Sequence, residues 1–565
     1  MPTQKKEKRL HQSSHLGHMP VEATGRNWSC ASKGNEEGYC QRRSPGVLGL
    51  LFLKEGIVEM AGLVQHLPNH QLTLLHNLRQ LKPDANLIGH TRPVHGATNA
   101  RRTRSFVCQA ASSGISATPP VPEGDVDIPL LTGLANTIEW LADYPEFYQK
   151  RFKKFGGLFR TNLLFNPMVV VTDENEVRRL LQAEHKLVES AWPQSMRNLL
   201  GPNAILTAPA KAHKKQRQIL SQAFTDAAMR LYLPTVLDVC RYTFDQWSAS
   251  EEPVLFYSAA RAFAFDVAAT VLTGTRFDGN TLVRMREDFD VYADGLFSVP
   301  LEIPGTPYAK AVKARRNIVA EIERLILDAK ASNDAQSSGR KNALQLLLNA
   351  EDENGEKLTM EQLKDQILTQ LFAGHETTGA TLSRVLPEIQ KQPHILAKMR
   401  QEQAQLIQQY GDDITYEVLD RMPYTDAVLK EVMRLHGIVD GVWRQALEDL
   451  EVQGRRVPKG WTVQLMVKRA GLDMPEFAAD ADRFRPERWL EESGAPVKKE
   501  PKGFMPFGEG PRKCLGMLLA KMEMRALLAV LAREYSVELE DPNESWIQGF
   551  KPVNKLPGHV YKYQA

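Results

Sequence analysis

The sequence has little cysteine, little net charge and no long apolar run. Five cysteines in 565 residues are too few for a disulfide scaffold, so a reducing compartment is the expected setting. No stretch reaches the roughly 18 consecutive apolar residues that cross a bilayer. The longest early candidate, Gly46–Leu53 (GVLGLLFL), is cut off by Lys54 and Glu55. A net charge of +3, from 71 Lys+Arg and 68 Asp+Glu, speaks against a nucleic-acid partner. With 42% hydrophobic and 25% charged residues, collagen-like, coiled-coil and wholly disordered chains are excluded as well.

The small net charge averages two unlike parts. Residues 1–118 hold 15 Lys+Arg against 7 Asp+Glu, and the other 447 residues hold 56 against 61. The first part carries eight of the 14 histidines and Cys30, Cys40 and Cys108, and its apolar residues keep no sustained period. From Ala85 to Pro122 there is no acidic residue, while Arg92, Arg101, Arg102 and Arg104 precede a run rich in Ala and Ser. An Arg-rich, Ser-containing, acid-poor leader has the composition of an organelle transit peptide. Met60 is a candidate internal start, and a disordered basic tail is the alternative. A plastid is the expected location, with the endoplasmic reticulum membrane surface or the cytoplasm as alternatives. Pro119–Pro122 then reads as the hinge before a folded part, 119–565. That part exceeds the usual single core, so it holds two domains or one large cofactor-filled domain.

Beyond the hinge the helical period dominates. Asn136–Phe155 reads as one helix, and Gly157–Asp173 as two strands with Asn166-Pro167 at their turn. Helical patterns follow over 174–184, 210–248, 257–273, 308–331 and 341–350. A long helix starts after Thr359, which has capping-box spacing with Gln362, and runs to about Gln392, with Pro387 expected to kink or end it. Gly454–Val467 reads as strand and Leu515–Glu534 as a final helix. The fold class is mainly α with a minor β subdomain.

The most informative stretch is Phe504–Gly516 (FMPFGEGPRKCLG). Cys514 lies just ahead of a helix, whose free N–H groups and positive dipole end are expected to lower a thiol's pKa. A thiolate there suits a soft metal centre. No second cysteine or nearby histidine completes a zinc set, Cys240 being the only other cysteine in 119–565. Gly508, Gly510 and Gly516 let the loop press against a flat cofactor. Arg512 suits a cofactor carboxylate, and Phe507 is placed to shield the sulfur from water. A lone cysteine at a helix start is by itself more often a small buried hydrophobe. The five positions of F-x-x-G-x-R-x-C-x-G, here Phe507, Gly510, Arg512, Cys514 and Gly516, change that. They coincide by chance on the order of once in several thousand chains of this length.

This stretch resembles the haem-binding loop of the cytochrome P-450 family, in which a cysteine thiolate is the axial ligand of the haem iron. The resemblance implies a single large domain around a buried haem b (iron protoporphyrin IX), with Cys514 on the metal and dioxygen as co-substrate. Leu371–Thr378 (LFAGHETT) resembles the family's oxygen-binding stretch: Ala373 and Gly374 leave room for the ring and a diatomic ligand, and Glu376 and Thr377 relay protons. Glu431-x-x-Arg434 followed by Phe484–Trp489 (FRPERW) is similar to two further family segments, with Arg488 closing a Glu–Arg–Arg network behind the haem. The E-x-x-R spacing alone is weak, since Glu176/Arg179 and Glu321/Arg324 share it. His213 and Arg217, four residues apart on a basic helix, and Arg444 resemble partners of the haem propionates.

Trp192–Gly201, Gly295–Pro304 with Lys313–Arg315, and Glu451–Trp461 resemble the retinoic-acid hydroxylases and their cyanobacterial relatives, and in part the plant sterol and brassinosteroid hydroxylases. The implied activity is monooxygenation of an apolar isoprenoid (a retinoid or apocarotenoid, a sterol or a triterpenoid), with Trp192, Phe297, Val439 and Val442 lining the pocket. Two departures fall on the substrate side and argue against retinoic acid itself. Gly437–Gly441 replaces a Pro-rich turn and brings the charge of Asp440 beside the pocket, and Ala470-Gly471 replaces a Thr-His pair. Only 51 residues follow Cys514, so no flavin module is expected and electrons come from a separate protein. That donor is ferredoxin in a plastid or a flavoprotein reductase at the endoplasmic reticulum, docking on Lys498, Lys499, Lys502, Lys513 and Lys521. A peripheral membrane contact is compatible with the sequence; a transmembrane helix is not. Two rivals stand beside this reading. One is an oxygen-independent haem-thiolate isomerase or dehydratase acting on lipid peroxides, against which Glu376-Thr377 argues. The other is a non-enzymatic haem-binding sensor or carrier.

Overall fold

The computed structural model describes residues 119–125, 129–274, 279–334, 342–547 and 551–563. The basic leader over 1–118, with Met60 and the transit-peptide reading, lies outside the described residues. The helix expected over Asn136–Phe155 is two, α1 (Pro129–Ala142) and α2 (Tyr144–Phe155). They part at Asp143, whose carboxylate accepts the Glu146 backbone N–H and caps α2, with Pro145 in its first turn. Next, β1 (Leu158–Leu163) pairs antiparallel with β2 (Asn166–Val171), Leu158 opposite Val171. The turn between them is Leu164-Phe165, both left-handed at φ 51° and 62°. Asn166-Pro167 therefore opens β2 instead of forming the turn. Pro167 lies one residue before β2 begins to pair with its other neighbour at Met168, so its missing N–H breaks no ladder there.

Helices α3 (Glu174–Gln182) and α4 (Gln194–Leu200) flank β3 (Val188–Ser190). The long period over 210–248 is interrupted. Helix α5 (Ala210–Leu220) tightens into a 3₁₀ turn at Ser221–Ala223, and α6 (Asp226–Ser248) starts anew under a Thr225 cap. After β4 (Val254–Leu255) come α7 (Phe256–Thr273), α8 (Gly279–Gly295), α9 (Pro307–Asp334) and α10 (Ala343–Asn349). Helix α11 (Met360–Lys391) begins with the expected Thr359/Gln362 capping box and passes through Pro387 without ending. Its 32 residues extend about 48 Å at ~1.5 Å each. Pro393 opens α12 (Pro393–Tyr410), followed by α13 (Tyr416–Leu419) and α14 (Pro423–Leu435).

The strand expected over Gly454–Val467 is likewise divided. β5 (Val442–Ala446), β6 (Leu450–Val452), β7 (Arg455–Val457) and β8 (Thr462–Leu465) precede α15 (Val467–Leu472). Helix α16 (Met517–Glu534) leads into β9 (Tyr535–Leu539), β10 (Trp546–Ile547), β11 (Lys551–Pro552) and β12 (Pro557–Lys562). The larger sheet runs β1-β2-β8-β5-β3, with only β2 and β8 parallel, and a smaller one runs β4-β12-β9. The main core joins α6, α7, α9, α11, α14 and α16 through fully buried residues such as Val236, Phe265, Ile322, Leu371, Val428 and Val530. Gly379 sets the approach of α11 to α7, since a Cβ there meets the Arg261 Cα at 2.6 Å. The result is mainly α with minor sheets. Among the described residues no helix is long and apolar enough to cross a membrane.

Candidate functional site

Two cavities, the second the larger, share Thr377, Thr378, Cys514 and Ala520 on their borders. Cys514 stands three residues ahead of α16, and its backbone N–H donates to the Phe507 carbonyl at 2.9 Å. The loop is pressed onto α3 at Gly510, where φ is +70° and a Cβ meets the Leu181 carbonyl oxygen at 2.3 Å. The thiol faces the cavities it lines. Its pKa is nevertheless raised by burial within the fold, against the Gly516 N–H and Arg217, which pull it down. The helix start alone does not produce the expected low-pKa thiol, because desolvation outweighs it. A bound metal cation supplies the missing charge and holds a coordinating thiol deprotonated. Phe507 is half-buried on the same border.

Across from the thiol, α11 brings Ala373, Gly374 and Thr377 to the larger cavity. The Thr377 hydroxyl donates to the Ala373 carbonyl at 2.7 Å, so the side chain is held along the helix. Glu376 is paired with Arg261 of α7, and the same guanidinium nitrogen meets Asp290 of α8 at 2.8 Å. Burial raises the Glu376 pKa, opposed by Arg261. Ligand atoms of Asp290, His375 and Glu376 lie within 4.8 Å of one another, but Arg261 already supplies the cation to both carboxylates.

The far edge of the larger cavity is cationic. His213 and Arg217 of α5 and Arg512 line it. Arg444 of β5 is not on the lining; it meets the fully buried carboxylate of Glu184, as does Arg512 Nε at 2.5 Å. Glu184 also accepts the Ser190 backbone N–H at 3.1 Å. The remaining Arg512 donors reach the carbonyls of Ile205, Leu206 and Ala208. His213 Nδ1 lies 3.3 Å from His185 Nε2. Burial, then Arg512, push the His213 pKa down to about 3, so its ring is neutral at ordinary pH.

Beneath the site, Glu431 of α14 receives a bidentate pair from Arg434 at 2.9 and 2.8 Å and the Arg488 Nε at 2.8 Å. Trp489 Nε1 and the Arg485 backbone N–H complete its shell at 2.9 and 3.1 Å. All three charged side chains are within 1% of complete burial, and Asp480 takes the other end of Arg488 at 2.9 Å.

The residues expected to line a substrate pocket are scattered. Val439 borders the smaller cavity. Trp192 packs on the main core with its indole N–H buried and without a partner. Val442 packs into the sheet-side cluster. Phe297 is 50% exposed, beyond the end of α8, and is on neither lining. The charge of Asp440 is met by Lys468 at 3.2 Å, and Lys468 itself lines the smaller cavity. Of the lysines, Lys498, Lys499 and Lys502 are exposed, whereas Lys513 and Lys521 are half-buried and Lys513 borders the larger cavity. Sequence reasoning missed Glu184, His185, Arg261 and Asp480, which lie far in sequence from the loops they serve and belong to no short motif. Trp489 was inside a recognised segment, but its hydrogen bond was not foreseen.

A thiol on one side, small α11 residues on the other and a cationic rim with neutral His213 fit a flat iron porphyrin carrying two carboxylates. Fold and site thus define a haem-thiolate protein. The sequence model described as "Cytochrome P450" matches residues 126–557. A "Putative cytochrome P450 120" of Synechocystis is 35% identical over 416 residues, 74% of this chain and 90% of the relative. "Cytochrome P450 26B1" of Xenopus tropicalis is 32% identical over 438 residues, 76% and 84% of the two chains. The solved structure titled "Retinoic acid bound cyanobacterial CYP120A1" superposes with a TM-score of 0.70 at 33% identity, covering 79% of this chain and all of that one. The chain belongs to the cytochrome P450 family of monooxygenases, whose cofactor is haem b and whose co-substrate is dioxygen.

Proposed function

We propose that this monooxygenase hydroxylates an apolar isoprenoid of retinoid or apocarotenoid type, with electrons from a separate protein. The observation that carries the reading is the apolar wall of Ile205, Leu206, Ala268 and Leu272 on the cavity that also takes the haem between Cys514 and the Ala373-Gly374-Thr377 face of α11. Such a wall selects an apolar substrate and excludes water. The likeness to a retinoic-acid-bound relative supports the retinoid class. The Gly437–Gly441 turn and Ala470-Gly471 favour a member other than retinoic acid. Sterols and triterpenoids are the second choice.

When bound through Cys514, the haem supplies reductive activation of dioxygen. Thr377 on the cavity lining and Glu376, paired with Arg261 off that lining, would relay protons to the reaction, and Arg217, Arg512 and His213 would hold the carboxylates of the ring. Thr377→Ala uncouples electron consumption from product formation, measured as product formed per reductant oxidised; unchanged coupling refutes the relay. The carbon monoxide difference spectrum of the reduced protein establishes thiolate ligation. Turnover with retinoids, apocarotenoids and sterols then ranks the substrates, and peroxide conversion without reductant would favour the isomerase reading instead.

The exposed Lys498, Lys499 and Lys502 support docking of an acidic donor. In a plastid, which the leader's composition favours, that donor is ferredoxin. The reduction rate falls as salt rises if the patch works, and a salt-independent rate removes it.

A further inference from the structure

The two-histidine contact at the cationic edge has a geometry that the haem alone does not explain. His185 occupies the left-handed region at φ 69°, a conformation uncommon outside glycine that histidine adopts more readily than most side chains. It is held there at both ends: its backbone N–H donates to the Val188 carbonyl at 2.7 Å, and the preceding Glu184 is locked by Arg444, Arg512 and the Ser190 N–H. The ring is thereby delivered against His213, centroids 5.2 Å apart and planes at 51°.

We propose that His185 is a positioning residue of the haem site, donating its Nε2–H to His213 Nδ1 and so holding His213 as the tautomer whose Nε2–H is offered to a haem carboxylate. One hydrogen lies between the two rings, and the second has two places to go. On His185 Nδ1 it is buried with no hydrogen-bond acceptor; the nearest carboxylate oxygen, of Glu184, is 3.7 Å away. On His213 Nε2 it belongs to a cavity-lining ring and meets an acceptor once an acid group arrives. Because His213 is held neutral by burial and by Arg512, it has a single N–H, and the tautomer decides whether it attracts or repels that carboxylate. Charge is consistent with the assignment. Arg217, Arg444 and Arg512 outweigh the one carboxylate of Glu184, and Lys513 adds to the positive edge, which therefore suits two propionates.

The inference rests on the haem and is independent of the substrate. Its test is haem transfer from the purified, haem-loaded protein to excess apomyoglobin. His185→Gly suits the left-handed backbone and removes the ring, and loses haem about three- to tenfold faster, the worth of one ordinary hydrogen bond. His185→Asn, which tolerates the backbone and retains a side-chain N–H, restores most of the retention. His213→Phe loses haem to a similar extent, and adding His185→Gly to it changes the rate less than about twofold, since the two act as a unit. ¹⁵N spectra of the diamagnetic ferrous carbonyl form show the Nε2–H tautomer at His213 in the parent protein and a mixture in His185→Gly. Haem retention in His185→Gly equal to the parent's, or multiplicative effects in the double variant, overturns the proposal. So does an Nδ1–H tautomer at His213. A carbon monoxide spectrum lacking the thiolate signature would instead count against the haem-thiolate reading itself.

Discussion

Glu431, fully buried, accepts five hydrogen bonds from four residues. Glu431→Ala leaves Arg434 and Arg488 as buried charges short of a partner, at a cost of about 3–5 kcal/mol. Haem content measured as pyridine haemochrome falls to background, and normal content would detach the network from the haem site. Two buried groups shape the pH dependence of stability in opposite directions. Complete burial pushes the Glu523 carboxyl from its ordinary 4.5 up to about 8, opposed by Thr378. Between those values the unfolded chain has lost a proton that the folded chain keeps, so stability falls as pH rises through that window. Glu523→Gln flattens this slope, read from urea midpoints at the two ends of the window. His375 is the converse, lowered from 6.5 to about 3 by burial and then by Arg261 and Arg286. Stability falls as pH drops between those values, and His375→Gln reduces that acid-side loss. At this scale Cys514, Glu431, Arg434 and Arg488 were legible because short motifs fix them. Glu184 and Arg261 were not, since only the fold brings them to their partners.

Elements were legible where one period persists and a cap announces it, as in α11 with its Thr359/Gln362 box. The breaks were harder. Asp143 and Thr225 each cap a new helix inside an apolar pattern that continues across them, so periodicity alone joins what the caps divide. The hairpin turn was misplaced for a related reason: Asn-Pro is a strong turn signal, yet Leu164-Phe165 adopts the left-handed pair that a two-residue hairpin needs. Leu164 is anchored in the α2–β1 cluster, while Phe165 is 46% exposed and gains little there. Phe165→Gly removes the left-handed strain and raises stability by about 1 kcal/mol, seen as a higher urea midpoint at constant m-value. A lower midpoint would mean that the Phe165 ring contributes more than its backbone costs.

Across the whole molecule, composition separated a basic leader from an acidic-leaning remainder. The apolar wall and the cationic rim of the larger cavity fit one another when the haem is present, because without it the rim's excess positive charge faces an apolar wall. Haem removal is therefore expected to lower the thermal midpoint by several degrees and make it dependent on added haem concentration; calorimetry of the apoprotein with and without haem checks this.

Arg512 gathers groups that are 304 to 328 residues away along the chain. On the ribosome, the segment around Glu184 and the carbonyls of 205–208 emerges long before the residue that ties them together. Until then Glu184 has the Ser190 N–H and, once it is made, Arg444. The cofactor cradle is thus closed only after the segments that Arg512 ties together have been made, so the cationic edge is not complete when the first helices fold.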